Sequence, residues 1–113
     1  MRFDIQFTRG PLDGLNLNGD TSDTDTDNSF AAECFRRSSA GSVGTIFETF
    51  DPHVLTTTGS ESTTARLHHY SVESATYFSV SSGIAVVPVL VEVKAVYRGP
   101  SDRYAVLRVS RHE

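Results

Sequence analysis

The chain is poor in cysteine, lysine and long apolar runs, and each shortage excludes a class of protein. Cys34 is the single cysteine, so no disulfide can form within the chain and nothing points to an oxidising compartment. The longest apolar run, GIAVVPVLV, is interrupted by Pro88 and followed by Glu92, and it is far shorter than the ~20 residues that span a bilayer. The first residues, MRFDIQFTRG, alternate charged and apolar side chains, unlike a signal peptide. We therefore expect a cytoplasmic protein without a membrane segment.

Basic residues are also few. Ten basic residues, one of them lysine, stand against fourteen acidic residues, and the net charge is −4. Binding to a nucleic-acid backbone depends on clustered cations that release counterions. The candidates for such a cluster are four arginines near the C-terminal end, Arg98, Arg103, Arg108 and Arg111. Scattered cations on a strand more often protect a sheet edge, so nucleic acid is not an expected partner.

Length and composition predict one domain that spans residues 1–113. With 113 residues, of which 38% are apolar, the folded chain buries roughly two-thirds of the surface that the unfolded chain exposes. A core of that size needs no metal or disulfide for stability. The glycine-containing stretch AGSVGT lacks the lysine and the spacing of a phosphate-binding loop, and we expect no cofactor.

The first third of the chain predicts a strand, a turn and a helix. Arg2–Thr8 alternates apolar and polar residues with the period of two that a half-buried strand shows. Gly10-Pro11 and Asp13-Gly14 then predict a tight reversal. A helix over residues 30–37 is favoured by a capping residue before it, by Glu33 early and by arginines late. Its apolar side would carry Phe30, Cys34 and Phe35.

The remainder predicts strands. TIFETF (residues 45–50) is a short strand, and residues 66–73 and 76–82 suggest a hairpin that turns at Ser74-Ala75. The valine-rich segment 84–99 favours a strand with a break or bulge at Pro88, and residues 103–110 follow the RGPSD turn as a last strand. The fold class expected is mainly β, with α+β as the alternative: a twisted antiparallel sheet or small barrel of about six strands with one short helix near residues 30–37. Mobile polar loops are expected near residues 16–29 and 56–65.

The acidic stretch NLNGDTSDTDTDNS offers four candidate cation ligands, Asp20, Asp23, Asp25 and Asp27. Counted from Asp23, the stretch places oxygen ligands at the first, third, fifth and seventh positions of a calcium-binding loop. The twelfth position, where that loop needs a bidentate glutamate, is Cys34. We therefore expect no specific metal site and favour a solvated loop, with weak calcium binding as the alternative.

Histidine and cysteine supply the remaining candidates for chemistry. His68 and His69 are adjacent, and adjacent side chains in a strand point to opposite faces, so they cannot bind one metal ion together. We expect His68 on the core face with Tyr70, and His69 toward solvent. Cys34, on the apolar side of the helix, is expected to be a buried apolar residue rather than a nucleophile. No residue is predicted to be catalytic.

The stretch FTRGPLDGL (Phe7–Leu15), directly after the first strand, resembles the opening F-x-G-G-P-x-D-G of small uncharacterised bacterial proteins of about this length. Those proteins also carry a tyrosine-rich strand and a YRG-like C-terminal piece, to which HHYSV and VYRG correspond here. Arg9 stands where the motif has a glycine. The resemblance implies a strand followed by a turn, and it implies no activity.

The function expected from these residues is binding without catalysis. The segment Ile84–Val91 is apolar on both faces of its predicted strand, which is more than one face of a small sheet needs. We expect a second copy or another protein to cover it. The alternatives are a domain that responds to calcium through the acidic loop and, less favoured, a small enzyme that uses Cys34 or His68.

Overall fold

The computed structural model describes residues 1–21, 30–54 and 62–108. Five β-strands and one α-helix lie within these ranges: β1 (Arg2–Thr8), β2 (Asn16–Asp20), α1 (Phe30–Arg37), β3 (Ile46–Thr49), β4 (Ser62–Ser82) and β5 (Ala85–Arg108). The protein is mainly β, as predicted. The first strand and the helix occupy the predicted residues.

The strands form one sheet in the order β2-β1-β5-β4-β3. Neighbouring strands are antiparallel except β1 and β5, which are parallel. Within the described residues β2 and β3 remain at opposite edges, so the sheet is open. The predicted twisted sheet is therefore confirmed, while the barrel form is not adopted and one parallel pair makes the sheet mixed.

Two predicted turns are wrong because the chain bulges there instead of reversing. The hairpin expected at Ser74-Ala75 is part of the single strand β4, whose register with β5 shifts between Val72 and Ser74. The turn expected at RGPSD lies inside β5, where the register shifts between Arg66 and His68 of β4. The irregularity predicted at Pro88 is confirmed, since Phe78 pairs with Leu90 but the next residue pairs with Pro88. Merging the predicted strands leaves fewer than six.

Both predicted polar loops are shorter than expected. Asn16–Asp20 is strand β2, which pairs with β1 and places its one leucine, Leu17, opposite Ile5. Residues 62–65 begin β4. The other parts of the two loops, residues 22–29 and 55–61, lie outside the described residues.

The turn after β1 is built on a close approach between backbone and aromatic rings. Gly10–Leu12 forms a single 3₁₀ turn. A Cβ atom on Gly10, whose φ is +68°, would lie 2.4 Å from Cδ1 of Tyr97, so no larger residue fits without a shift. The Tyr70 hydroxyl donates to the carbonyl of Arg9 at 2.7 Å and accepts from the Leu12 amide at 3.0 Å. These two hydrogen bonds hold the predicted reversal against Tyr70 of β4.

The core lies between one face of the sheet and α1. The Phe35 ring of α1 stacks on Phe3 of β1 with centroids 4.4 Å apart. Inward residues of β1 and β5 face each other in register, as Ile5 and Val93 do. The other buried members of the cluster are Phe7, Leu12, Cys34, Phe47, Tyr70, Val72, Val91 and Ala95. The opposite face, here called the open face, carries exposed polar residues such as Gln6 and Lys94.

Candidate functional site

The hairpin of β4 and β5 is longer than the sheet that supports it. β1 pairs with β5 from Leu90 to Val96, and β3 pairs with β4 from His68 to Ser71. Beyond those points, toward the two-residue turn between the strands, β4 and β5 pair with each other and with no further strand among the described residues. We call Thr76–Val89 the arm.

Every residue of the arm is exposed. Seven of the exposed residues are large and apolar: Tyr77, Phe78, Val80, Ile84, Val86, Val87 and Val89. Their relative exposure ranges from 39% for Val89 to 107% for Ile84 at the turn. Just beyond the arm, Val91 and Val93 are buried in the core. The change from buried to exposed therefore occurs where β1 begins to pair with β5, at Leu90.

The arm is apolar on both of its faces. Successive residues of β4 point to opposite faces, so Tyr77 lies on one face and Phe78 and Val80 lie on the other. Val80 pairs with Val87, and Phe78 pairs with Leu90. A sheet with one face on a core needs one apolar face. The second apolar face of the arm is therefore not explained by packing within the described part of the chain.

The two edges of the arm differ in protection. From Thr76 to Val89 the sequence contains no charged residue. The β5 edge carries Pro88, which has no amide hydrogen to offer to another strand. The β4 edge, Thr76–Ser82, has neither proline nor charge, the devices that natural proteins use to prevent pairing at an edge. This edge is thus chemically open to another strand.

A second cluster of polar residues joins β3, β4 and β5 around Glu48. The carboxylate of Glu48 accepts from the hydroxyl of Ser101 at 2.6 Å and from Nη1 of Arg103 at 3.0 Å. Nε2 of His69 lies 3.7 Å from the same carboxylate. In a serine–histidine–carboxylate triad the histidine lies between the serine and the carboxylate, whereas here the carboxylate lies between serine and histidine. The cluster links three strands and does not have the order of that triad.

Cys34 has the surroundings of a buried apolar residue. Its relative exposure is 1%, and its Sγ lies 3.2 Å from Oγ1 of Thr49. Burial raises the pKa of the Cys34 thiol to about 11, so the thiol is neutral at pH 7. Because the thiolate is the reactive form, these observations argue against Cys34 as a nucleophile.

His68 is half-buried, and its Nδ1 lies 3.0 Å from the Tyr97 hydroxyl. Desolvation, with a smaller contribution from the charge of Arg66, lowers the pKa of His68 below its usual range. The contact between His68 and Tyr97 links β4 to β5. His69, which we expected to face solvent, is also half-buried and lies beside Glu48.

Two surface cavities have linings that include neither Cys34 nor His68. One, of about 370 Å³, is lined by Thr8, Arg9, Glu73, Val96 and Arg98. The other, of about 210 Å³, lies between the turn after β1 and the segment Asp51–His53. The larger cavity mixes two guanidinium groups with one carboxylate, and Nε of Arg98 already donates to Ser71. The lining of neither cavity contains a serine or a cysteine.

Of the four candidate cation ligands, the structure describes Asp20. It ends β2, and its carboxylate lies 3.4 Å from the N-terminal ammonium group. Asp23, Asp25 and Asp27 lie outside the described residues. Within residues 1–21, 30–54 and 62–108, no group of three or more histidine, cysteine, aspartate or glutamate residues is placed to hold a metal ion. Calcium binding by the acidic stretch stays a hypothesis.

Sequence reasoning found half of the arm. The two-sided apolarity of Ile84–Val91 indicated the β5 half, while Tyr77, Phe78 and Val80 on β4 were not singled out. The missed signal is the uncharged run between Glu73 and Glu92, which contains TYFSVSSGIAVVPV and continues through the turn at Gly83. In a chain with 21% charged residues, such a run on both strands of one hairpin marks a surface unlike the rest.

Comparisons with family models, with curated proteins and with solved structures find no match. In the part of the chain that the structure describes, no helix has the length and apolar character needed to cross a membrane.

Proposed function

We propose that the protein is a non-catalytic interaction domain that binds another polypeptide through the arm. The observation that carries the proposal is the arm's exposure: it is apolar on both faces and has an unprotected β4 edge. Taking about 200 Å² for an exposed aromatic residue and about 150 Å² for a valine, the seven apolar residues expose roughly 700 Å² at their observed fractions. Because the two faces point in opposite directions, each presents about half of this area, which lies within the 300–600 Å² of the largest apolar patch on a typical monomer, a patch that is itself often functional.

Stability gives a second reason for a bound polypeptide. A two-stranded hairpin without other support is marginally stable in water. The arm is such a hairpin from Phe78 to the turn, because β1 and β3 end before it among the described residues. A polypeptide that packs on the arm supplies the missing contacts.

Other partner classes fit the arm less well. Nucleic acid binding depends on clustered cations, and the arm has no charge. The body of the protein carries the net charge of −4, which disfavours approach to a phosphate backbone. A cytoplasmic location, consistent with one cysteine and no disulfide, is part of the same proposal.

The test compares labelling of single cysteines in purified protein and in an extract of the cells that produce it. Val80→Cys places a thiol on the arm, and Gln6→Cys places one on the open face of β1 as the matched control. Cys34 is buried with a raised pKa, so the unsubstituted chain supplies a low background for maleimide labelling. We expect the extract to slow labelling of Val80→Cys in proportion to the bound fraction and to leave Gln6→Cys unchanged. Equal rates at Val80→Cys in extract and in dilute purified protein would contradict the proposal.

A further inference from the structure

The larger cavity brings three charged side chains together on the body of the sheet. Its volume is about 370 Å³, and it is lined by Thr8, Arg9, Glu73, Val96 and Arg98. Thr8 pairs with Val96 at the last residue of β1. The arm begins at the other end of β1, where Arg2 pairs with Leu90. The cavity is therefore a separate feature from the arm.

Each of the three charged residues stands at an irregular point of the backbone. β4 bulges at Glu73 and β5 bulges at Arg98, because neither residue has a partner in the register of the two strands while the residues on both sides of it do. Arg9 has φ +68°. Bulges next to functional sites re-aim a side chain, and strained backbone also concentrates at such sites. Three irregularities thus aim their charges at one cavity.

The three charges do not pair with one another. Nε of Arg98 donates to Oγ of Ser71 at 2.7 Å. Ser71 is 3% exposed, so a buried hydroxyl orients this guanidinium and leaves its two terminal nitrogens as donors. Among the described residues, the guanidinium of Arg9 and the carboxylate of Glu73 form no hydrogen bond or ion pair.

The mixture of charges selects the chemistry of a ligand. Guanidinium groups bind a carboxylate through paired N–H···O hydrogen bonds. The carboxylate of Glu73 repels an anion that carries no positive group, and it attracts an ammonium group. We infer that the cavity binds a free α-amino acid, whose carboxylate lies between Arg9 and Arg98 and whose ammonium group meets Glu73. Small-molecule sites have volumes of about 300–1,000 Å³, and this cavity is at the lower end, as a ligand of that size requires.

The backbone of Arg9 gives an independent reason for a ligand. At its φ, a side chain is strained and glycine is not. The amide and carbonyl of Arg9 are nevertheless held by hydrogen bonds to Asp13 and Tyr70. The chain therefore keeps a destabilising arginine where glycine would serve the fold better, and what arginine adds is a guanidinium in the lining of the cavity.

An NMR titration of the full chain with each standard L-amino acid tests the inference. With the concentration raised to about 10 mM, which detects weak binding, we expect saturable shifts of the amide signals of the lining residues for at least one amino acid. For that amino acid, the analogue without the ammonium group and the analogue without the carboxylate should each bind at least about tenfold more weakly. No saturable shift with any amino acid would overturn the inference. Equal affinity for the analogue without the ammonium group would make the cavity a simple anion site and would also overturn it.

Charge-removing variants assign the roles of the lining residues. Arg98→Gln should weaken binding of the amino acid and of its carboxylate-only analogue, each by at least about tenfold. Glu73→Gln should weaken binding of the amino acid but not of the carboxylate-only analogue. Lys94→Gln and Glu92→Gln are the matched controls, because they remove the same charges from the open face outside the lining. Equal losses in the controls and in the cavity variants would attribute binding to net charge and overturn the inference.

Arg9→Gly separates binding from folding. Glycine relieves the strained backbone, so this variant should remain folded while its affinity for the amino acid falls by at least about tenfold. Loss of affinity in a variant that is as stable as the unsubstituted chain places the guanidinium at the ligand. Unchanged affinity in this variant would overturn the assignment of Arg9 to the carboxylate.

Discussion

Replacement of Arg9 by glycine should stabilise the protein. Arg9 has φ 68° and ψ 169°, a backbone conformation that glycine adopts readily and that costs other residues about 1–3 kcal/mol. The conformation is held from both sides. The Arg9 amide donates to Oδ1 of Asp13 at 2.6 Å, and its carbonyl accepts from the Tyr70 hydroxyl at 2.7 Å.

The magnitude follows from two opposing contributions. Glycine relieves the backbone strain, but it loses about 0.5–1 kcal/mol more conformational entropy on folding than a residue with a side chain does. The net gain is about 1 kcal/mol, which raises the midpoint of thermal unfolding by roughly 4 °C for a chain of this length. Thermal unfolding followed by circular dichroism measures this shift.

Arg9→Ala is the matched control. It removes the guanidinium group from the edge of the larger cavity but keeps the Cβ atom that causes the strain. We expect Arg9→Ala to be no more stable than the unsubstituted chain. If both variants are stabilised equally, the arginine side chain and not the backbone is responsible. If Arg9→Gly lowers the unfolding midpoint, the strain argument is refuted.

Three further predictions concern the turn and His68. Tyr70→Phe should lower the free energy of unfolding by about 2 kcal/mol, because the buried Leu12 amide and the part-buried Arg9 carbonyl each lose a partner; urea unfolding measures this, and an unchanged midpoint would contradict it. Gly10→Ala should cost at least about 2 kcal/mol, since its Cβ would overlap the Tyr97 ring, whereas Gly14→Ala, with nothing within 4 Å of its Cβ, should cost less in the same assay. The folded-state pKa of His68 lies below its unfolded value, so the unfolded state takes up the proton first, and stability should fall as the pH drops below about 6.5. His68→Asn should lose that part of the pH dependence between pH 7.5 and 5.5, and an unchanged pH profile would contradict this assignment.

Short elements were predictable from sequence where the pattern of apolar residues or the order of charges pointed to one structure. Arg2–Thr8 has strict alternation with alternate residues buried, and α1 has its charges ordered along the helix dipole. In both cases burial of one face decides the structure, and the pattern of apolar residues records that face directly. The short strand β3 also lies within the predicted range, with Phe47 and Thr49 buried.

Turns within the long strands were mispredicted because a bulge and a turn share residue types. Small residues at Ser74-Ala75 and the glycine and proline of RGPSD permit a reversal, but they permit an unpaired residue equally well. Which occurs depends on whether β4 and β5 remain paired on both sides of the site. That is a property of the partner strand, which a local pattern does not contain.

The parallel pairing of β1 with β5 was not predictable for a similar reason. A period of two shows which residues share a face, but it does not show which strand lies alongside or in which direction. For the arm, the sequence showed an excess of apolar residues on β5. It did not show that β1 would begin at Arg2, opposite Leu90, which is what leaves those residues uncovered.

The parallel pairing also bears on how the chain folds. β1 is made first during synthesis, yet its neighbour in the middle of the sheet begins pairing at Leu90, near the other end of the chain. Helix α1 can cover the apolar side of β1 early in folding. The edge of β1 that hydrogen-bonds to β5 stays without that partner until β5 has been made. β4 and β5 are adjacent in sequence and can form their hairpin through local contacts, whereas closure of the β1–β5 pair requires a long loop and is intrinsically slow. We therefore expect docking of the first strand onto a preformed hairpin to be the late step of folding, and truncation before Leu90 should leave the N-terminal half without its central partner.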